Sequence, residues 1–441
     1  MASGLLRRAA YSLRNTFVDG WYFGDEESKS RLCHLKYTYN SNIVANLVGG
    51  NFYTGLLLLL GADDGFIGLV SILVTAANML QLFSPLVLEH FPQRKKLLII
   101  TRLVVQTLNI AFIGAIPYFP AGQQAKLFMF AAAQLILNCM HALTCSGLSV
   151  WHIQFIPNNI RLNYFTLITM TNGAVVALVN LIAGFFLDKF KAAGMELQGI
   201  TILRVIAYGM LLYDLTLLLR MKEKPYQRTV EKIKLYDILI KPFREKVYLR
   251  TVAIAVLWTF TSGIQSSFFS VYMLKNIEAS YSFINLVNLL NAPILMLCTP
   301  LWSKFLRRSS SWLKTLNIAV CIYAVHYFLF SQVNQNNYLW LYTFAQIWAF
   351  TLGAGILLAM NNVPYINIPK ANQTQFISFY STVTSIGSLL GVALGRKVVT
   401  SLAGTTLLGM CDKQMLLFFA FFMMETAALV MFILRRNLKE E

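Results

Sequence analysis

The sequence predicts an all-α membrane protein of twelve transmembrane helices arranged as two pseudo-symmetric six-helix bundles. Three observations carry this expectation. Of 441 residues, 57% are hydrophobic and 13% charged, with a mean hydropathy of +0.58; a soluble fold of this size needs more polar surface to cover its core. Apolar runs of about 20 residues, each sufficient to cross the hydrocarbon of a bilayer, recur along the whole chain. Two loop sequences return in the second half at nearly the same distance from their first copies.

The elements follow in order from the apolar runs. They fall near residues 38–60, 65–88, 95–117, 124–149, 163–187, 200–220, 248–274, 281–304, 313–332, 338–360, 374–398 and 413–434. Helices of this length satisfy their own backbone groups in lipid, whereas a barrel would be written in short alternating segments. Residues 1–37 read as an amphipathic cytoplasmic arm. They are basic and aromatic ("RNTFVDGWYF") and lack the apolar core of a cleavable signal peptide. Residues 38–220 make the first bundle and 248–434 the second. Between them, 221–247 form a basic cytoplasmic loop, expected as short amphipathic helices on the membrane surface. Residues 435–441 form a cytoplasmic tail.

The formal charge is +18, a balance that by itself would point to nucleic acid. The placement of the basic residues argues against that. With the N-terminus inside, 28 of the 37 Lys and Arg fall in the even-numbered loops and the tails. Seven fall in the opposite loops, and Arg102 and Arg204 lie within spans. The positive-inside rule accounts for this distribution and puts both termini in the cytoplasm of a multi-pass protein of the bacterial inner membrane or plasma membrane. The six cysteines, Cys33, Cys139, Cys145, Cys298, Cys321 and Cys411, are scattered without a Cys-x-x-Cys pair. They predict no disulfide and no metal site.

The repeat is written in two pairs of loops. "FIPNNIRLNYF" (155–165) and "IPKANQTQFI" (368–377) align Pro157 with Pro369, Arg161 with Gln373 and Tyr164 with Phe376. "SPLVLEHFPQRKKLL" from Ser84 and "TPLWSKFLRRSSSWL" from Thr299 align Pro85 with Pro300. Both pairs sit at equivalent places in their halves. Proline ends or bends a helix because it lacks an amide donor. A basic group just beyond it is favoured beside the last carbonyls of a neighbouring helix.

Twelve spans, two halves and a basic central loop resemble the major facilitator superfamily over about residues 38–434. In that family the loop after the second span reads Gly-x-x-x-Asp-Arg-x-Gly-Arg-Lys. Here Pro85, Glu89, His90 and Pro92 stand at the first Gly, the Asp, the Arg and the second Gly, while Arg94 and Lys95 keep the basic end. In the second half Lys304 takes the acidic position. The Pro157-to-Arg161 loop resembles the family's Pro-x-x-x-Arg between spans four and five. The resemblance implies alternating access: two bundles rocking about a solute site near the midplane. It places Glu89, Arg94 and Arg161 in a cytoplasmic gate.

Polar residues inside spans face a cavity or a partner, because lipid penalises them. In the first span Asn42, Asn46, Gly49 and Tyr53 share a helical face. In its mate, the seventh, Trp258, Thr261, Gln265 and Phe268 or Phe269 do the same. An offset of 215 puts Asn46 on Thr261 and Tyr53 on Phe268. Amides, hydroxyls and aromatics at equivalent depth suit a small polar organic solute. Gln346 and Trp348 are candidates for the second-half wall. Asn, Gly and Ser also glue helices together. Gly387, Gly391 and Gly395 read as close packing, and Asn172, Asn285 and Asn288 as packing or lining. Proton coupling needs a titratable group in the membrane; the candidates are His141, His326, Asp214 and Glu425. Arg204 and Lys189 are expected near the outer surface, snorkelling.

These features predict a secondary active or facilitative transporter of a sugar, nucleoside or similar metabolite. An exporter of amphipathic or drug-like compounds is the alternative. The Gly-Pro pair of drug antiporters is missing from the fifth span, "TNGAVVALVNLIAGFF", and their Arg from the fourth. A transporter-shaped receptor or scaffold is the other alternative. No phosphate-cradling loop, nucleophile elbow or His-Glu-x-x-His is present, so no enzyme and no cofactor are expected. The expected partners are the solute, the lipid bilayer and a proton or other coupling ion, acting on a monomer.

Overall fold

The computed structural model describes residues 26–88, 91, 93–153, 156, 158–223, 241–309, 311–367, 373–406, 409–436 and 438. Among these residues twelve helices are long and apolar enough to cross a membrane. In the first half these are α1 (Lys29–Leu59), α2 (Asp64–Gln81), α3 (Lys95–Tyr118), α4 (Gln123–Cys145), α5 (Asn172–Ala192) and α6 (Glu196–Arg220). In the second half they are α7 (Lys246–Asn276), α8 (Tyr281–Ser309), α9 (Trp312–Ser331), α10 (Tyr338–Met360), α11 (Phe379–Ser401) and α12 (Asp412–Arg435). Some helices outrun their spans, such as Gln123–Ile153 and Asn158–Ala192. The first begins at Glu26, inside the region expected as a separate arm. Apolar side chains such as Phe128 (72% exposed) and Leu297 (71% exposed) point outward, which suits contact with lipid.

The halves repeat each other's packing. In the first, α1 packs on α5 and α6, and α4 on α2 and α3. In the second, α7 packs on α11 and α12, and α10 on α8 and α9. Between halves α2 packs on α11 and α5 on α8, the same contact with the halves exchanged. Twelve alternating spans bring residues 29 and 435 to one face, here the terminal face; the other is the far face.

Three departures from regular helix shape the interior. α1 breaks at Gly49, and Gly50 starts the second segment (Gly50–Leu59) with φ +53°, a left-handed conformation that glycine adopts without a steric cost. α7 breaks after Gln265 and resumes at Phe269, closing with a π-turn at Tyr272–Asn276. α3 carries a π-turn at Leu108–Phe112. The α7–α11 contact is the closest: a Cβ added at Gly391 would run into the Phe260 carbonyl, and one at Gly395 into that of Ile264.

Candidate functional site

The breaks in α1 and α7 border two hollows that meet at Gly49. The larger, about 390 Å³, is lined by α1 (Gly49, Tyr53), α2 (Ser71, Thr75), α3 (Gln106, Asn109), α4 (Gln134, Asn138), α7 (Ser266, Ser267) and α11 (Val392). The smaller, about 260 Å³, is lined by Asn46, Asn51, Asn180, Phe269, Asn285 and Asn288, among others. Non-helical backbone at membrane depth is tolerated where it borders a cavity, and both breaks do so. The Ser266 and Ser267 hydroxyls lie in the stretch where α7 has lost its helical turn.

No Asp, Glu, Lys or Arg lines either hollow among the described residues. The polar groups are amides and hydroxyls. Asn138 Nδ2 donates to the Gln134 carbonyl (2.7 Å) and side-chain oxygen (3.1 Å), turning the α4 amides as a pair. Gln106 is 8% exposed, and its Oε1 accepts no hydrogen bond from the described residues. In the smaller hollow Asn180 Nδ2 donates to Asn46 Oδ1 (3.1 Å), and Asn285 Nδ2 to the Asn180 carbonyl (2.9 Å). These bonds tie α1 to α5 and α5 to α8.

The sequence-derived site residues separate on this geometry. Asn46, Tyr53 and Phe269 line the hollows. Tyr53 also packs its ring on Phe130, at 5.5 Å between centroids. Asn42 is half-buried and donates to the Thr38 carbonyl one turn back (2.8 Å). Trp258 stands edge-on to Tyr323, and Gln265 reaches the Tyr327 hydroxyl; both face the second half. Thr261 is 1% exposed and packs against α12, where its hydroxyl contacts Met424 Sδ (3.2 Å). Gln346 is buried in α10. Trp348 Nε1 donates to the Ile322 carbonyl on α9 (3.0 Å), which places it at a helix–helix contact. Gln106, Asn109, Gln134 and Asn138 escape the sequence reading, although Gln106/Asn109 and Gln134/Asn138 are one helical turn apart.

The titratable candidates lie apart from the hollows. Asp214 is fully buried. It accepts from Asn40 Nδ2 (2.8 Å) and faces Arg102 Nη2 at 3.9 Å, and Arg102 also donates to Ser41 Oγ (2.5 Å). His326 is enclosed by Tyr323, Tyr327 and Phe330, with Nδ1 3.0 Å from the Ala345 carbonyl. His141 is exposed beside a small crevice that includes Arg102. Glu425 accepts a weak bond from Cys321 Sγ (3.5 Å). Arg204 departs from expectation: it is 3% exposed inside the first bundle, because two carbonyls of the α3 π-turn accept from it, whereas Lys189 is exposed.

Two ends frame the hollows. On the far face the halves are bolted together. Lys413 Nζ meets Asp64 Oδ2 at 2.6 Å and is 3% exposed. Arg396 Nε donates to the Gly65 carbonyl (2.8 Å). The Asp188 carboxylate caps the start of α8, accepting from the amides of Tyr281 (2.9 Å) and Ser282 (2.8 Å). The Tyr281 hydroxyl donates to Glu196 Oε1 (2.9 Å) while packing over Gly55. On the terminal face Glu223 accepts from the amides of Arg94 and Lys95 at the start of α3. Lys95 Nζ donates to the Leu219 carbonyl (2.8 Å), so this end of the first bundle is tied to itself. Glu89 of the expected gate lies outside the described residues, as do Pro157, Pro369 and the Arg161 side chain.

The fold and sequence agree with known transporters. The chain is similar in structure to the nucleoside transporter NupG (TM-score 0.65, 14% identity, covering 94% of this chain and 100% of that one). It is also similar to a D-xylose-proton symporter (TM-score 0.69, 13% identity, 94% and 97%) and to a bacterial metal transporter (TM-score 0.62, 11% identity, 94% and 100%). No curated protein matches it in sequence. The family model described as Major Facilitator Superfamily matches residues 40–392. That match spans most of both bundles, with the breaks of the first and seventh helices inside it, and the chain belongs to the major facilitator superfamily as a multi-pass transporter of solutes.

Proposed function

We propose that the protein carries a small polar organic solute, of the size and hydrogen-bonding character of a sugar or nucleoside, by alternating access about the paired hollows. The observation that supports this most directly is the lining: amides and hydroxyls from both halves, no charged side chain among the described residues, and helix breaks in α1 and α7 that both border the hollows. Such a wall discriminates by hydrogen-bond matching, and a Gln106 oxygen without a protein donor favours a solute hydroxyl or amine. The far-face contacts describe the state closed on that side. With both termini cytoplasmic, as the charge distribution favours, that state faces inward.

The test is a thermal-shift screen of purified protein against metabolites, followed by counterflow of the best stabiliser in proteoliposomes. Gln106→Leu and Asn138→Leu are expected to weaken solute binding about tenfold each, the loss of roughly one good hydrogen bond. Thr261→Val, which changes only the α7–α12 contact, is expected to stay within about twofold. If Thr261→Val weakens binding while Gln106→Leu and Asn138→Leu do not, the solute sits elsewhere. Saturable binding without exchange would make the protein a receptor instead.

A further inference from the structure

The buried Arg204 has no use in the packing commensurate with its cost. A charged side chain within a span is penalised by lipid and by burial unless it is paired. Arg204 Nη1 donates to the Asn109 (2.7 Å) and Ile110 (3.3 Å) carbonyls, while Nε and Nη2 find no acceptor among the described residues. The acceptors exist because α3 adopts a π-turn there, which turns carbonyls out of the helical ladder. Among the described residues no carboxylate pairs with the guanidinium. The acid buried in the same bundle, Asp214, is engaged by Asn40 and Arg102, and Glu425 belongs to the other half. The group facing Arg204 electrostatically is Tyr53. Tyr53 and Asn109 both line the larger hollow. One uncompensated positive charge thus stands immediately behind its wall.

Resting on the solute-carrier reading, we infer that the larger hollow is electropositive and takes a solute that pairs hydrogen-bonding groups with an anionic one, Arg204 serving as its counter-charge from behind Tyr53 and Asn109. The amides of α3 and α4 hold the polar body. The buried charge supplies a field that the low-dielectric surroundings screen weakly. An organic cation of the same shape is rejected by the same field, so selection by charge needs no charged residue in contact with the solute.

The field is measurable without knowing the solute. Ser71→Cys places a thiol in the hollow wall. Its reaction with an anionic and a cationic methanethiosulfonate of similar size is followed at that residue by mass spectrometry, each rate normalised to that with free cysteine. The anionic reagent is expected to be favoured about tenfold. Adding Arg204→Gln brings the ratio close to one, and Arg204→Lys preserves it. Equal or cation-favouring rates in Ser71→Cys alone overturn the inference, even if Arg204→Gln does not fold. A ratio unchanged by Arg204→Gln overturns it as well. Labelling without charge preference leaves the solute site standing; failure of both reagents at Ser71→Cys and Asn138→Cys removes the hollow itself as an accessible site, and the inference with it.

Discussion

At the scale of single residues, burial decides which polar groups are structural. Asp214 and Arg102 are a partly hydrogen-bonded pair in the first bundle, with one Asp214 oxygen accepting no hydrogen bond. Removing one partner strands the other charge. Asp214→Asn is expected to destabilise the protein by about 3 kcal/mol, and replacing both by Leu to recover much of that. Thermal unfolding of the two variants beside the wild type checks it. An Asp214→Asn protein of unchanged midpoint means that the pair adds nothing to the bundle. Helical spacing made Asn46 and Tyr53 legible, because amide and aromatic groups on one face of an apolar span stand out. Gln106, Asn109, Gln134 and Asn138 were not, since α3 and α4 read as ordinary spans unless their polar residues are also phased. Thr261 and Trp348, read from the same spacing, stand at helix–helix contacts. A polar atom at the right phase also satisfies itself on a helix carbonyl or a neighbouring helix, and spacing alone does not tell the two apart.

At the scale of elements, close approach and broken helix rest on glycine. The α7–α11 seam leaves no room for a side chain at Gly391, so Gly391→Val is expected to abolish the folded, monodisperse protein in detergent chromatography. Gly50 differs: nothing stands within 4 Å of an added Cβ, but its φ is +53°. Gly50→Ala is therefore expected to fold, with a loss of about 1 kcal/mol read by thermal unfolding. A wild-type midpoint would mean that the α1 break relaxes to regular helix at no cost. The twelve helices were legible from apolar run length to within a few residues at most ends. The breaks were less so, because they depend on what lies across the cavity. "VGGN" hints at the first, while "GIQSSFFS" contains no proline and one glycine and gives little warning of the second.

At the scale of the whole molecule, the far-face contacts hold the two halves together and would oppose the proposed rocking. Lys413 is almost wholly buried against Asp64, and Asp188 holds the first amides of α8. Lys413→Met is expected to shift the population toward the state open on the far face. It should raise the labelling of Ser71→Cys by an impermeant thiol reagent added from that side about tenfold. An unchanged rate would assign closure to the apolar α2–α11 and α5–α8 contacts instead. The doubled architecture was readable from two loop pairs, and its internal symmetry reappears in the matched packing of the halves. The side facing the cytoplasm rests on charge alone, because alternation of spans fixes only that residues 29 and 435 share a face.

The interruptions in the first and seventh helices join two functions in one stretch of backbone. The piece of α1 before its interruption stays with the first bundle, while Gly55, beyond it, meets Tyr281 of the other half. The same few peptide units are thus both wall of the proposed cargo chamber and stem of the clasp. Thermodynamic reciprocity then applies: any change that makes the clasp grip harder by some factor when cargo is aboard must tighten the grip on cargo by that same factor when the clasp is shut.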